Sequence, residues 1–567
     1  MRGYVILFLV LVVIFAVQSY NMKKSAAEKL KKELDEGWGK KRNRKYGHNE
    51  YERSPHYYRQ TREGENVIDD ITWNDLSMDD VFQAMNHTWS SVGEESLYRR
   101  LRIPQTDLSE LEKFGRMSSV FEKNPEKTKQ LQQIYAEIGR THSVSLYDFI
   151  TTASKLTQKP NLPHYLDIVL MLACIAGLFL EPVYAVVGLL VVLSWNIYSY
   201  YKEKNDVNNY FVCFEYIIRL ICYSGKIEKA LADMGDEVFQ DYISRTGRLQ
   251  GKTKNLKKGM FLMASPGVDD SIVEMLMQYV RMIFHVDLIK FNLMVKKTKE
   301  NIGEIDELYR IMGDIEAAAA VASFRTYLKE QHGFYAVPQW RKEGICFDEI
   351  YHPLIEKAVK NSMHTEENVL LTGSNASGKS TFLRTVAVNA ILAETIYTVA
   401  AKSYAMPVCE IYSSMSLKDN LSENDSYYMA EIKSLKRIMD KAGSGRTIIC
   451  FIDEVLRGTN TIERIAASSQ ILKELTAENV ICFAATHDIE LTHILDQSYS
   501  NYHFEEEVCG EDVNFNYHLK KGRSVTRNAI RLLKVMEYPD RIVKGAEQQV
   551  EEFTNTGTVS YTHLRAH

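Results

Sequence analysis

One stretch constrains the fold more than any other. Val369-Leu-Leu-Thr-Gly373-Ser-Asn-Ala-Ser-Gly378-Lys379-Ser380-Thr381 runs an apolar strand into a loop bounded by two glycines. A helical pattern, Phe382, Leu383, Val386, Ala387 and Ala390, follows at once. Strand, glycine loop and helix in direct succession is the setting of a phosphate-binding P-loop. Glycines at 373 and 378 let backbone N–H groups close around an anion, and the helix N-terminus adds partial positive charge. Lys379 offers a point charge for the β- and γ-phosphates, and Ser380 a hydroxyl for Mg²⁺. The candidate nucleotide-binding set is Gly373, Ser374, Asn375, Ala376, Ser377, Gly378, Lys379, Ser380 and Thr381.

A second element fits the first. Thr447-Ile-Ile-Cys-Phe-Ile-Asp453-Glu454 is a continuous apolar run ending in two carboxylates, the pattern of a buried parallel strand. Asp453 is placed to hold Mg²⁺ through water and Glu454 to polarise the attacking water, because phosphoryl transfer needs positioning and charge neutralisation. A third strand, Val480 to Thr486, ends at His487-Asp488. A histidine just past the carboxyl end of such a strand is a candidate γ-phosphate sensor.

Leu371 to Thr381, Asp453 to Thr461 and Ala485 to Thr492 together resemble the ATPase domain of the MutS mismatch-repair family, a branch of the ABC-type ATPases. The resemblance implies paired ATPase domains, each nucleotide being completed by a signature segment of the other subunit. The matching segment is Leu421 to Glu431, with Ser426 at the position of the trans-acting serine. Asn424 stands where the family usually has glycine, and Ser374 where it usually has proline. Asn tolerates left-handed backbone better than most residues, and the loop's donors are backbone groups. Ser90 to Pro104 and Leu308 to Val321 are similar to the family's helical core and to the helix by which its lever returns to the ATPase. Ile345 to Ile355 resembles the opening of the ATPase domain, with Tyr351 or His352 on the adenine side.

With 567 residues the chain has room for three or four domains. A net charge of −5 gives no global field to recruit nucleic acid. The eight cysteines form no C-x-x-C pair and read as reduced cytosolic thiols, without a disulfide framework or zinc site.

Gly3 to Tyr20 is almost wholly apolar and long enough to cross a bilayer core of roughly 30 Å. Ala16-Val17-Gln18 makes a poor cleavage site, so the segment reads as an anchor. Lys23, Lys24, Lys29, Lys31 and Lys32 follow it, which puts the rest of the chain in the cytoplasm. Leu166–Leu180 and Val183–Tyr200 are two further apolar runs, split by Glu181-Pro182; Trp195, Tyr198, Tyr200 and Tyr201 fit an interfacial aromatic belt, and Lys155, Lys159, Lys202 and Lys204 flank both ends. They predict a transmembrane hairpin or, being short for a span, a buried one. Arg245, Arg248, Lys252, Lys254, Lys257 and Lys258 form a basic stretch free of acids. Lipid or nucleic-acid phosphate, or plain solvation, accounts for it equally well.

The expected architecture is an α/β P-loop ATPase domain of the ABC type at the end of a mainly α-helical lever and core region, with membrane-spanning helices. Its parts are an anchor (1–20), a charged linker (21–67), a helical core (68–164), a hairpin (165–201), a lever region (202–340), the ATPase domain (341–553) and a tail (554–567) without period that reads as non-native adapter sequence. The expected activity is Mg²⁺-dependent ATP hydrolysis by a homodimer at the cell membrane, moving a helical lever, with double-stranded DNA as partner. No aromatic wedge precedes Asn66, and the Phe-x-Glu at Phe347 lies inside the ATPase domain. DNA contacts would then come from Arg245, Lys252 and Lys257 to phosphate. The other reading is a mechanochemical or scaffolding ATPase that acts on a protein or lipid.

Overall fold

The computed structural model describes all residues except 1–17, 19–20, 23, 43, 45, 142–143, 154–159, 259–278, 375–376, 416–426, 457–458, 510–511, 524–529, 531–532, 534–537 and 557–567. The described residues fall into two compact units, a helical one and an α/β one. The first gathers Met1–Glu65, Phe82–Ile103 and Asp107–Tyr327; the second gathers Asn66–Val81, Pro104–Thr106 and Leu328–His567.

In the helical unit, α1 (Ser91–Arg102) begins at Ser90, whose hydroxyl accepts the Gly93 N–H at 3.2 Å. The two segments singled out above for their family resemblance meet here. A Cβ on Gly93 would lie 2.4 Å from Glu316 Cδ, and one on Gly313 would lie 2.7 Å from Ser96 Cβ. Glycine on both sides brings the two helices close, and Glu316 fills the remaining space with no exposed surface. It accepts the N–H groups of Trp89 (2.5 Å) and Ser90 (3.1 Å). Burial pushes its carboxyl up to about 7, against the pull of those donors. Arg53, also buried, bridges Glu94 (2.7 Å) and Glu95 (3.3 Å).

The apolar runs form α2 (Leu162–Gly177) and α3 (Pro182–Met234), with Pro182 in the first turn of α3, where its missing N–H costs nothing. Helix α3 does not stop at residue 201 but continues unbroken for 53 residues. Pro182–Lys204 is, among the described residues, the one helix long and apolar enough to cross a membrane; Leu162–Gly177 is shorter. Leu166, Phe179, Leu180 and Val183 are all exposed, so the hairpin is not buried in the protein. Gly3–Tyr20 lies, but for Gln18, outside the described residues.

The basic stretch departs from its expectation. It forms α4 (Gln240–Lys258), and acids from another helix answer it. After α5 (Val286–Glu300), α6 (Ile302–His332) brings Glu307 to Arg245 (2.8 Å) and Arg248 (3.1 Å), and Glu304 to Lys252 (2.9 Å). The run is acid-free only along the sequence. The side chains of Lys254, Lys257 and Lys258 lie outside the description.

The α/β unit holds two sheets. β1 (Gln339–Trp340), β5 (Ser403–Met406), β2 (Ile345–Ile350) and β3 (Asn361–Thr365) form the smaller, in the order β1-β5-β2-β3. The larger runs β10-β9-β4-β8-β7-β6, from β4 (Asn368–Thr372), β6 (Glu410–Ser414), β7 (Ile448–Asp453), β8 (Val480–Ala485), β9 (Tyr499–Cys509) and β10 (Asp512–Lys521). Only β10 runs antiparallel to its neighbour. Every residue of β4, β7 and β8 is buried, as their unbroken apolar runs require. Residues 66–81, expected as the end of the linker and the start of the helical core, belong to this unit: Asp75 accepts the Ser413 hydroxyl (2.7 Å) and the Met415 N–H (2.8 Å). Phe347 has no exposed surface and stacks on Tyr404, so it is no wedge.

Candidate functional site

The loop after β4 is built on backbone that side chains resist. Gly373 has φ 146° and Gly378 φ 105°. A Cβ on Gly373 would meet Ser377 Oγ at 2.8 Å and the Phe504 carbonyl at 3.0 Å, and neither the loop nor β9 has room to yield. Gly378 caps α7 (Lys379–Ile396). The Lys379 side chain folds back over the loop, its Nζ donating to the carbonyls of Gly373 and Ser374, both at 2.7 Å. Ser377 Oγ is buried with no hydrogen-bond partner. An anion seated in the loop would supply that partner, so the residues present fit a phosphate group. Asn375 and Ala376 lie outside the described residues.

Loop, carboxylate and histidine share one cavity of about 430 Å³. Ser374, Ser377, Gly378, Lys379, Ser380 and Thr381 line it on one side, and Glu454 and His487 close it. Glu454 Oε1 and His487 Nε2 are 2.6 Å apart. Both sit at the carboxyl ends of parallel strands, the edge on which open α/β sheets hold ligands. Asp453 ends β7, is 7% exposed and lies outside the cavity lining. Of the two residues expected near a base, His352 lines the cavity; Tyr351 is buried with its ring against His332. Ser426 lies outside the described residues.

The turn after β7 is strained. Glu454 and Leu456 both have φ 60°, uncommon for residues with a Cβ. Two contacts hold it. The Glu454 N–H donates to the Ala485 carbonyl at 2.9 Å, and the Leu456 N–H to Glu431 Oε1 at 2.5 Å. Glu431 is a buried residue of α8 (Tyr427–Ala442). The histidine side is fixed in turn by α9 (Thr461–Glu474). Its Arg464 makes a two-pronged bridge to Asp488 (2.9 and 2.6 Å), the residue next to His487 and the N-cap of α10 (Ile489–Ile494). Such a fork fixes direction as well as distance.

The roles of three residues here were not readable. Glu431 closes the signature-like segment without a role of its own, and Arg464 looks like an ordinary helical surface charge. Tyr517 lies in what reads as a closing strand, yet it has φ 54° beside a register shift in β10, and its ring edge faces Gly378. Its carbonyl accepts from Asn361 Nδ2 at 3.1 Å, and the Leu519 N–H donates to Asn361 Oδ1 at 2.8 Å. This leaves a half-exposed aromatic face at the cavity wall.

Residues 369–554 match the family model described as MutS domain V. The chain is 28% identical over 281 residues to the DNA mismatch repair protein MutS of Aquifex pyrophilus, covering 47% of this chain and 32% of that protein. The protein of the same name from Bacillus subtilis (strain 168) is 26% identical over 278 residues, 46% of this chain and 31% of that one. That from Rickettsia felis is 30% identical over 249 residues, 41% of this chain and 28% of the relative. The matched part thus spans about a third of the length of these curated relatives. Over these residues the chain is similar to the MutS proteins.

Proposed function

We propose that this chain is a membrane-anchored MutS-type ATPase whose Mg²⁺-dependent hydrolysis of ATP moves its helical region. The observation that carries the reading is the shared cavity, with the glycine loop and Lys379 facing the Glu454–His487 pair. Lys379, held at two carbonyls, exchanges them for the β- and γ-phosphate oxygens when nucleotide enters. Mg²⁺, held by Ser380 and through water by Asp453, would neutralise phosphate charge. Glu454 takes the proton of the attacking water, and His487, hydrogen-bonded to it, keeps that carboxylate aimed and senses the γ-phosphate. Arg464 positions His487 through Asp488. Ser426 completes the site of a second copy, so the working form is an ATP-dependent homodimer.

The exposed apolar hairpin supports the membrane part of the proposal; the lysines that follow Tyr20 are the reason for proposing the ATPase domain on the cytoplasmic side. Because the matched relatives are named for DNA mismatch repair, double-stranded DNA is the proposed partner. Contact would be to phosphate and blind to mispairs, and Arg245 and Lys252 must first leave Glu307 and Glu304.

The test is hydrolysis by the detergent-solubilised chain. Glu454→Gln should bind ATP but turn over about 10²–10⁴ times more slowly, the usual worth of a general base. Hydrolysis by Glu454→Gln at the wild-type rate would sink the catalytic assignment. Failure to bind any duplex at low salt, where phosphate contacts are strongest, would replace DNA by a protein or lipid partner.

A further inference from the structure

We propose a second site in the helical unit: a divalent transition-metal centre formed by His164, Asp167 and His285 at the foot of the apolar hairpin. His164 and Asp167 lie three residues apart on α2 and so share a face of that helix. His285 is the N-cap of α5, with φ 50°, in the left-handed region. Both imidazoles are buried, at 4% and 1% exposure.

The geometry points inward. His164 Nδ1 and His285 Nδ1 are 3.1 Å apart, and Asp167 Oδ2 is 3.8 Å from His285 Nδ1. The three ligand atoms all lie within 4.8 Å of one another. Two nitrogens bound to one ion at about 2.0–2.1 Å stand roughly 3.4 Å apart in a tetrahedron, so the spacing needs only small shifts.

The outer nitrogens strengthen the case. His285 Nε2 lies 2.9 Å from the Asn196 carbonyl, which can only accept, so Nε2 carries the proton and the lone pair sits on Nδ1, facing the cluster. His164 Nε2 lies 3.8 Å from Glu203 Oε2. A backbone carbonyl behind one imidazole and a carboxylate behind the other is the outer shell that metal-bound histidines carry. A simple histidine–histidine hydrogen bond would use the two Nδ1 atoms but gives Asp167 no part.

Two imidazoles with one carboxylate select an ion of the Zn²⁺ or Fe²⁺ kind over Mg²⁺ or Ca²⁺, which take oxygen ligands. The ligands come from α2 and α5, and their outer partners Asn196 and Glu203 from α3. A bound ion would therefore clamp three helices where the hairpin enters the helical unit. The site is separate from the nucleotide cavity and does not depend on the ATPase reading.

The experiment uses the full chain in detergent, stripped with chelator and titrated with Zn²⁺ by equilibrium dialysis. A parallel Co²⁺ titration follows the visible ligand-field bands. The expected result is one tight equivalent per chain. His164→Gln and His285→Asn should each weaken it by more than about tenfold, since loss of even an outer partner costs about 10–100-fold. Asn tolerates φ near 50°, so His285→Asn removes the imidazole with the least disturbance of the backbone. His487→Gln, at the nucleotide cavity, should bind the ion unchanged. A wild-type chain that binds no tight equivalent, or variants at 164 and 285 that keep it, would overturn the proposal and leave a histidine–histidine hydrogen bond.

Discussion

Glu394 should make the ATPase domain less stable as pH rises, and Glu394→Gln should remove that dependence. The carboxyl sits on α7 with 1% exposure, and burial pushes it up to about 8, against the opposing pull of the Cys409 N–H at 2.8 Å and of the Cys409 thiol. Its other oxygen, Oε2, is buried with no hydrogen-bond partner. The unfolded chain releases this proton near 4.5 and the folded chain near 8, so across that window the unfolded state binds fewer protons. Stability from this group is therefore full below pH 4.5 and falls by about 1.4 kcal/mol per pH unit up to 8. Between pH 5 and pH 8 the loss is about 3–4 kcal/mol, an upper bound if the site relaxes. Gln does not titrate and can still accept from Cys409, but it places an NH₂ where Oε2 has no partner, at a cost of about 1–2 kcal/mol. The variant should be the weaker protein at pH 5 and the stronger at pH 8, with crossing stability curves. Pulse proteolysis in urea, following the ATPase-domain fragment at each pH, reads both curves. Parallel curves would mean that the folded state holds Glu394 ionised, and the argument from burial would fail.

Gly313→Ala should destabilise the helical unit by about 1–3 kcal/mol despite the better helix propensity of Ala, because the new Cβ meets Ser96 Cβ at 2.7 Å and the Val92 carbonyl at 3.1 Å. A denaturation midpoint equal to or above wild type would show that the two helices can separate cheaply. Arg464→Lys exchanges a fork for a point charge, so turnover should fall about tenfold while ATP affinity holds; equal losses in binding and turnover would place Arg464 in the binding of nucleotide instead. Carbonate at high pH should leave the chain in the membrane pellet, whereas release by salt alone would mean that the exposed apolar hairpin covers another protein surface.

The parts legible in the sequence are those where local sterics leave no choice. Gly373 and Gly378 stand where a Cβ would strike β9 or Tyr517, and β7 had to be apolar because both its faces are covered. His487 could be read from its place two residues past such a strand. What could not be read depends on residues far apart in the chain. Glu304 and Glu307 neutralise a basic run some fifty to sixty residues upstream, and His164 meets His285 across 121 residues. Residues 66–81 joined the α/β unit through Thr72 and Asp75, whose hydroxyl and carboxylate find Ser413 more than 330 residues away. An Asp in a short helix gives no hint of such a partner.

Helix α3 has a mechanical consequence. At 1.5 Å per residue its 53 residues make a rod about 80 Å long. The only glycines in it are Gly188 and Gly225, and its only proline is Pro182 in the first turn, so nothing between Leu189 and Ser224 invites a kink. The exposed apolar end and the end buried around Phe214, Tyr216 and Ile221 are therefore one stiff body. Pivoted at one end, a tilt of 10° would sweep the other through about 14 Å. Such a beam carries angle and force where a flexible tether would carry only proximity.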